Sequence, residues 1–202
     1  MNNVLHNMIE WITRFAYLNL LWIGFTLAGG VLFGFFPATV AMFAVIRGWI
    51  RNGPVSPLFP SFFGYYKKEF WKSNRMGFSI FFALFLLVLD IRYFQLKMDE
   101  LISGAHILLF SFTLFFLFIL FYLFPVYVHY QLGVAGVMKQ ALLIMIIHPL
   151  HTLAILIGLG SFFYIMFLFP ALAVFFGGST SAFVTMWISL NAFDRLQRKQ
   201  AR

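Results

Sequence analysis

Five apolar segments, each long enough to cross a lipid bilayer, constrain this chain more than any other feature. A helix needs about 20 apolar residues to cross roughly 30 Å of hydrocarbon, and these segments meet that length: 15–36, 77–96, 105–128, 149–169 and 170–193. With 62% hydrophobic and 10% charged residues, the 202-residue chain has more apolar surface than a soluble core of its size can bury. The sequence therefore predicts an all-α, polytopic membrane bundle of about five transmembrane helices. It forms one domain over residues 1–202, and we expect the first segment to remain as a span.

Prolines and glycines predict where these helices begin and bend. Pro149 and Pro170 stand where a first helical turn accepts proline. Residues 37–50 are apolar but too short to span, so they are either a kinked continuation of the first helix or a separate short helix. The sequence favours the kinked continuation, which begins at Pro37 and is followed by a turn near residues 52–57.

An aromatic and basic stretch at residues 57–75 is typical of an amphipathic helix. At 100° per residue, Phe62, Phe63, Tyr66 and Phe70 share one sector, while Lys68, Lys72 and Arg75 fall on roughly the opposite side. This pattern predicts a helix that lies flat on the cytoplasmic face of the membrane. Residues 132–147 form a second candidate interfacial helix on that face.

Charge distribution predicts the orientation. Basic residues concentrate in residues 47–75 and in the tail after residue 194, whereas the other side holds Arg14, Arg92 and Lys97, partly offset by acids. The positive-inside rule then predicts a multi-pass membrane protein with its N-terminus outside and its C-terminus in the cytoplasm. The net charge of +8 lies beside spans, where anionic lipid explains it, so we expect no nucleic-acid partner.

Signatures of catalysis and of cofactor binding are missing from the sequence. It holds no phosphate-binding glycine loop with its lysine, no HExxH and no cysteine. His148 and His151 in HPLH have a spacing that places two ligands on one helical face, but no carboxylate accompanies them. We expect no catalytic residue, no metal, no cofactor and no enzymatic activity.

The candidate functional residues form two sets. Membrane-surface or partner-docking residues are Arg47, Arg51, Phe62, Phe63, Tyr66, Lys67, Lys68, Phe70, Trp71, Lys72 and Arg75. Candidate intramembrane polar contacts are Asn19, Asp90 and Asn191, because polar side chains within spans bond across helices or mark an ion route. Small residues such as Gly30 with Gly34 and Gly177 with Gly178 predict close helix packing.

The order and spacing of several motifs resemble the YesL-like proteins, a bacterial membrane family long labelled a domain of unknown function. The motifs are the Pro37-Ala38-Thr39 break, AVIRGWIR at 44–51, the Phe-rich basic segment at 62–72, Phe124-Pro125, KQALLIMIIHPLHTL at 139–153, and Phe169-Pro170-Ala171-Leu172. The sequence departs from the family's usual pattern at His129 and His151, and the resemblance covers nearly the whole chain. It implies a membrane protein commonly encoded beside carbohydrate importers of the ATP-binding-cassette (ABC) type, with no established activity.

Two classes of function follow from these observations. The family resemblance, together with the missing ATPase and catalytic motifs, implies a non-enzymatic accessory or regulatory subunit of a carbohydrate ABC importer, with the lipid bilayer and permease subunits as its partners. The alternative is an autonomous small-solute transporter or channel, which needs a polar path through the bundle. A membrane enzyme would need a carboxylate or histidine cluster at one depth, which the spans do not supply.

Overall fold

The structure is a computed structural model that describes residues 2–54, 57–96, 104–130 and 132–200. Within these ranges the chain forms seven helices and no strand: α1 (Asn2–Ala28), α2 (Leu32–Asn52), α3 (Leu58–Leu96), α4 (Gly104–Tyr130), α5 (Val134–Ile147), α6 (Pro149–Leu168) and α7 (Pro170–Gln200). Five of them, α2, α3, α4, α6 and α7, contain stretches long and apolar enough to cross a membrane. The predicted all-α polytopic membrane bundle is confirmed.

The first two helices form an antiparallel hairpin, so the prediction of one helix over residues 15–36 with a kinked extension is wrong. At the hairpin tip the Val31 amide donates to the Thr26 carbonyl and the Gly30 amide to the Leu27 carbonyl, with Gly30 at φ 70°. This pattern is a Schellman motif, which ends a helix at a residue in the left-handed conformation that glycine adopts without strain. The chain therefore reverses between α1 and α2.

Glycine also allows α1 and α2 to approach closely at the tip. A Cβ atom on Gly34 would lie 2.3 Å from the Thr26 carbonyl oxygen, so no larger residue fits there without movement of the backbone. Farther from the tip the Trp11 and Trp49 rings meet edge to face with centroids 5.7 Å apart. These contacts confirm the close helix packing that the sequence predicts at Gly34. The element that packs against Gly34 is the C-terminal end of α1.

Helix α2 lies at the centre of the molecule, with thirteen of its residues buried. Pro37 has no amide hydrogen, so the Phe33 carbonyl one turn earlier has no donor within α2. The Asn74 side-chain amide of α3 donates to that carbonyl at 3.0 Å. The helix interruption that the sequence assigns to Pro37 is therefore compensated by a bond from α3, and α2 continues through it.

Helix α3 is continuous from Leu58 to Leu96, so the predicted boundary between an amphipathic helix at 57–75 and a span at 77–96 is wrong. Its first half packs antiparallel to α2. Gly77 lies against the Phe36 ring so closely that a Cβ atom would be 2.2 Å from a ring carbon. At 1.5 Å per residue this 39-residue helix is about 58 Å long, roughly twice the thickness of the hydrocarbon layer.

The remaining helices agree with the sequence. Helix α4 covers the predicted span 105–128, and α6 and α7 cover 149–169 and 170–193, with Pro149 and Pro170 as their first residues. Helix α5 confirms a helix within 132–147 and buries one face. Its position at a membrane surface remains a prediction.

The ends of several helices meet at one end of the bundle, which we call the basic end. It contains the N-terminal part of α1, the C-terminal ends of α2 and α7, and the loop after α4. Trp11 lies against Trp49 here, and Arg51 forms an ion pair with Asp194. Both ends of the chain therefore lie toward one end of the bundle, whereas the sequence predicts opposite sides because it counts residues 15–50 as a single crossing.

Candidate functional site

The first half of α3 carries most of the predicted site residues, and the fold divides them among three faces of the helix. Phe62 and Tyr66 are buried against Phe25 of α1, with ring centroids 5.4 and 4.9 Å from that of Phe25. Phe63 also contacts Phe25, and Phe70 packs partly buried beside Tyr66. The aromatic face that the sequence assigns to lipid thus packs inside the protein at Phe62 and Tyr66, whereas Phe63 stays exposed.

A second face, at 65, 68, 69 and 72, lines a cleft of about 200 Å³ between α2, α3 and α4. Arg47 of α2 reaches this cleft, and its guanidinium donates to the Val128 carbonyl of α4. The Tyr127 hydroxyl donates to Glu69 at 2.8 Å, while the Lys72 ammonium lies 5.4 Å from the centre of the Tyr127 ring. In this cleft three predicted cations, Arg47, Lys68 and Lys72, therefore lie beside Tyr65, Tyr127 and Glu69, which the sequence analysis did not select as site residues.

The third face points outward and contains Lys67, Trp71 and Arg75. All three side chains are exposed, and Trp71 is 80% exposed, with an edge-to-face contact to Phe70 of its own helix. Neither cation forms an ion pair with an acid in the described part of the chain, where the pairs are Arg14–Glu10 and Arg51–Asp194. This face is the part of the predicted docking surface that is exposed and lines neither the contact with Phe25 nor the cleft.

Arg51 lies apart from these three faces, at the basic end. Its guanidinium pairs with Asp194 of α7, next to Phe193, whose ring lies 4.9 Å from that of His129 and 5.4 Å from that of Tyr130. Asp194 was not predicted as a site residue, although it is the one acid in a basic tail. The pair links α2 to α7 and makes Arg51 a structural contact.

Among the three candidate intramembrane polar residues, Asn19 has the most extensive contacts. Its side chain is 1% exposed, accepts from the Gly178 and Ser179 amides at 2.9 and 3.0 Å, and donates to the Val174 carbonyl at 2.7 Å. An unbroken helix would pair the Val174 carbonyl with the Gly178 amide, so Asn19 inserts into the backbone ladder of α7. Asn19 is therefore a polar contact between α1 and α7.

The other two polar candidates differ from Asn19. Asn191 is exposed and donates to the Trp187 carbonyl of its own helix, so it bonds within α7 rather than across helices. The side chain of Asp90 lies outside the described part of the structure.

The histidine pair lies at the start of α6. The His148 and His151 rings are 5.2 Å apart, and nearby the Tyr122 hydroxyl and the Thr152 hydroxyl are 3.1 Å apart. Among the described residues no group of three or more His, Cys, Asp and Glu side chains is placed to hold a metal. These residues pack α4 against α6.

Comparison with known proteins identifies the family. A family described as "Protein of unknown function, DUF624" matches residues 15–91. The chain is 36% identical to the uncharacterized protein YesV of Bacillus subtilis over 93% of its own length and 90% of that protein. It is 32% identical to the uncharacterized protein YesL of the same organism over 99% of its length and 94% of YesL.

The uncharacterized protein YteU, also of Bacillus subtilis, is 36% identical over 89% of this chain and 80% of its own length. No solved structure matches the chain. The similarity to these relatives extends from the α1–α2 hairpin through α7, so it covers all three faces of α3. The chain belongs to the YesL-like (DUF624) family.

Proposed function

We propose that this protein is a non-enzymatic accessory or regulatory subunit of a carbohydrate ABC importer in the bacterial plasma membrane. The class of partner follows from what the family resemblance implies, namely a common genomic association with such importers. The structural observation that supports a partner is the outward face of α3. There an exposed tryptophan lies between two cations that have no acid partner in the described structure.

The position of the membrane along α3 follows from its length. The second half of α3 exposes Phe78, Phe82 and Phe85, whereas Lys67, Lys68, Lys72 and Arg75 are confined to the first half. Apolar side chains favour the hydrocarbon layer and cations at mid-depth are costly. We therefore expect the second half of α3 to face lipid, and the exposed cations of the first half, which runs beside α2, to face away from hydrocarbon. By the positive-inside rule the basic end faces the cytoplasm, together with both ends of the chain.

The outward face has the composition of a protein interface. Tryptophan and arginine are enriched among the residues that dominate binding energy. Tryptophan buries a large area at a small cost in conformational entropy, and the planar guanidinium of arginine pairs with two carboxylate oxygens at once. Trp71 is 80% exposed and has an edge-to-face contact with the neighbouring Phe70 ring, so most of its area is still open to a partner. A permease subunit that covers Trp71 would bury most of its ring and place acids opposite Lys67 and Arg75.

The transporter alternative has less support. The best-placed polar side chain in the bundle, Asn19, already bonds three backbone groups of α7, and the Tyr122 and Thr152 hydroxyls bond each other. A path for a polar solute needs groups that exchange their bonds with that solute. The described polar groups at these two places are instead used between helices.

The test is affinity purification of the tagged protein from its own host in a mild detergent, with co-purifying proteins identified by mass spectrometry. We expect permease subunits in stoichiometric amount with the unmodified protein, and a loss of at least tenfold for a Trp71→Ala, Arg75→Glu variant. A matched control, Lys68→Gln with Lys72→Gln, alters the cleft and leaves the outward face intact, so it should retain the partner.

Three outcomes would count against the proposal. The first is that the unmodified protein elutes alone, the second that the outward-face variant retains its partner in full, and the third that the purified protein by itself transports sugar into liposomes. The last outcome would establish the transporter alternative.

A further inference from the structure

The cleft between α2, α3 and α4 holds an excess of positive charge that the accessory role does not use. Its lining residues are Val40, Ala44 and Arg47 of α2, Tyr65, Lys68, Glu69 and Lys72 of α3, and Tyr127 and Val128 of α4. Three cations thus meet one carboxylate around a space of about 200 Å³. The volume corresponds to about six or seven water molecules at roughly 30 Å³ each.

The one acid in the cleft does not neutralise the lysines. Glu69 accepts a hydrogen bond from the Tyr127 hydroxyl at 2.8 Å. It forms no ion pair with Lys68 or Lys72, because the ion pairs of the described residues are Arg14–Glu10 and Arg51–Asp194. Lys72 instead lies over the Tyr127 ring at 5.4 Å, a cation–π contact. The cleft therefore keeps a net excess of two positive charges.

Arg47 is oriented as a ligand for an oxyanion. One of its terminal nitrogens donates to the Val128 carbonyl, which fixes the guanidinium at the cleft wall. The remaining donors of the planar guanidinium stay available, and their geometry matches two oxygens of one phosphate. Lys68 and Lys72 are exposed and Arg47 is half-buried, and an anion with one or two charges would relieve the repulsion among these three like charges.

We propose that this cleft binds the phosphate group of an anionic ligand, with Arg47, Lys68 and Lys72 as its charged contacts. The Arg47 end of the cleft lies five residues before the end of α2 at Asn52, about 7.5 Å along the helix axis, and the cleft extends from there along α2 to Val40. At that depth two sources supply the same chemistry, the headgroup of an anionic phospholipid and a free phosphate in the cytoplasm. The proposal does not depend on the accessory role, since the docking face lies on other residues of α3.

The experiment measures ligand-dependent thermal stabilisation of the full-length protein in a neutral detergent and a phosphate-free buffer. The probes are short-chain phosphatidylglycerol and inorganic phosphate, with sodium chloride at matched ionic strength as the control. We expect a saturable rise in melting temperature that sodium chloride does not reproduce. A rise with phosphatidylglycerol alone identifies a lipid headgroup site, and a rise with inorganic phosphate as well identifies a site for free phosphate.

Paired variants locate the binding. Lys68→Gln with Lys72→Gln should weaken binding about thirty-fold, from a loss of two surface cation contacts. Lys67→Gln with Arg75→Gln removes the same charge from outside the cleft and should change the dissociation constant less than about threefold. Lys68→Arg with Lys72→Arg restores the charge, and it should recover binding if the glutamine pair has lost affinity through charge rather than through misfolding.

Two results would overturn the proposal. The first is that neither probe stabilises the protein beyond the salt control. The second is that the cleft pair of substitutions and the control pair weaken binding equally, because the positive field of the whole surface, rather than the cleft, would then attract the anion.

Discussion

Replacement of Asn19 by alanine tests how α1 is fixed to α7. The side chain makes three hydrogen bonds to the α7 backbone and is 1% exposed. Hydrogen bonds between membrane helices contribute about 0.6 kcal/mol each on average, so three amount to about 2 kcal/mol. In the variant the Val174 carbonyl and the Gly178 amide can pair with each other, which recovers part of that loss. We expect Asn19→Ala to lower the free energy of unfolding by about 1–2 kcal/mol.

The assay is unfolding in mixed micelles of sodium dodecyl sulfate and a mild detergent, followed by helix content. Asn19→Leu keeps the branched shape of the side chain, with two bulkier methyl groups, but removes all three bonds, so it should lose at least as much stability as the alanine variant. Asn191→Ala is the matched control, because that exposed amide bonds only within α7, and its effect should stay within about 0.5 kcal/mol. If Asn19→Leu is as stable as the unmodified protein, the bonds to α7 contribute nothing and the reasoning fails.

The α1–α2 hairpin gives two further predictions. Gly34→Ala should destabilise the protein by about 1–3 kcal/mol in the same unfolding assay, because the new Cβ would meet the Thr26 carbonyl. Gly24→Ala is the control, since a Cβ there has open space, and it should be neutral or up to about 1 kcal/mol stabilising. Equal effects of the two substitutions would contradict the close approach of α1 and α2 at Gly34. The chain has no cysteine, so single cysteines at Asn7 and Arg198 should both react with a membrane-impermeant maleimide from the same side of oriented vesicles, and labelling from opposite sides would contradict the hairpin.

The long helices could be predicted because their signals are local. Each apolar segment after residue 100 is bounded by charged residues, a glycine or a proline, and the structure begins α6 and α7 at the predicted residues Pro149 and Pro170. The chain reversal at Gly30 was missed for a physical reason. Hydropathy remains high on both sides of the turn, so it gives no boundary there. The adjacent pair Gly29-Gly30 was the available signal, since a glycine just past a helix end adopts the left-handed conformation of a Schellman motif.

The aromatic face of α3 shows why periodicity cannot identify what a face contacts. Phe62, Tyr66 and Phe70 were predicted on one side of a helix, and the structure places them on one side. Phe62 and Tyr66 lie against Phe25, more than thirty residues earlier in the chain, rather than against lipid. A helical pattern specifies only that a face is apolar, because lipid and a second helix are equally suitable surroundings for it.

The cleft could not be predicted from the sequence, and the reason bears on how the basic residues of α3 are to be interpreted. Lys68 and Lys72 follow the same helical spacing as the outward cations, and only the approach of α4 separates them, through Tyr127 and Val128. Both side chains are exposed, but once α4 is in place Lys72 lies over the Tyr127 ring and lines the cleft, whereas Lys67 does not line it. Two lysines five residues apart therefore differ in what they can bind. Charge substitutions on α3 should accordingly fall into two groups, one that changes anion binding and one that changes partner binding, and a variant that combines them cannot distinguish the two functions.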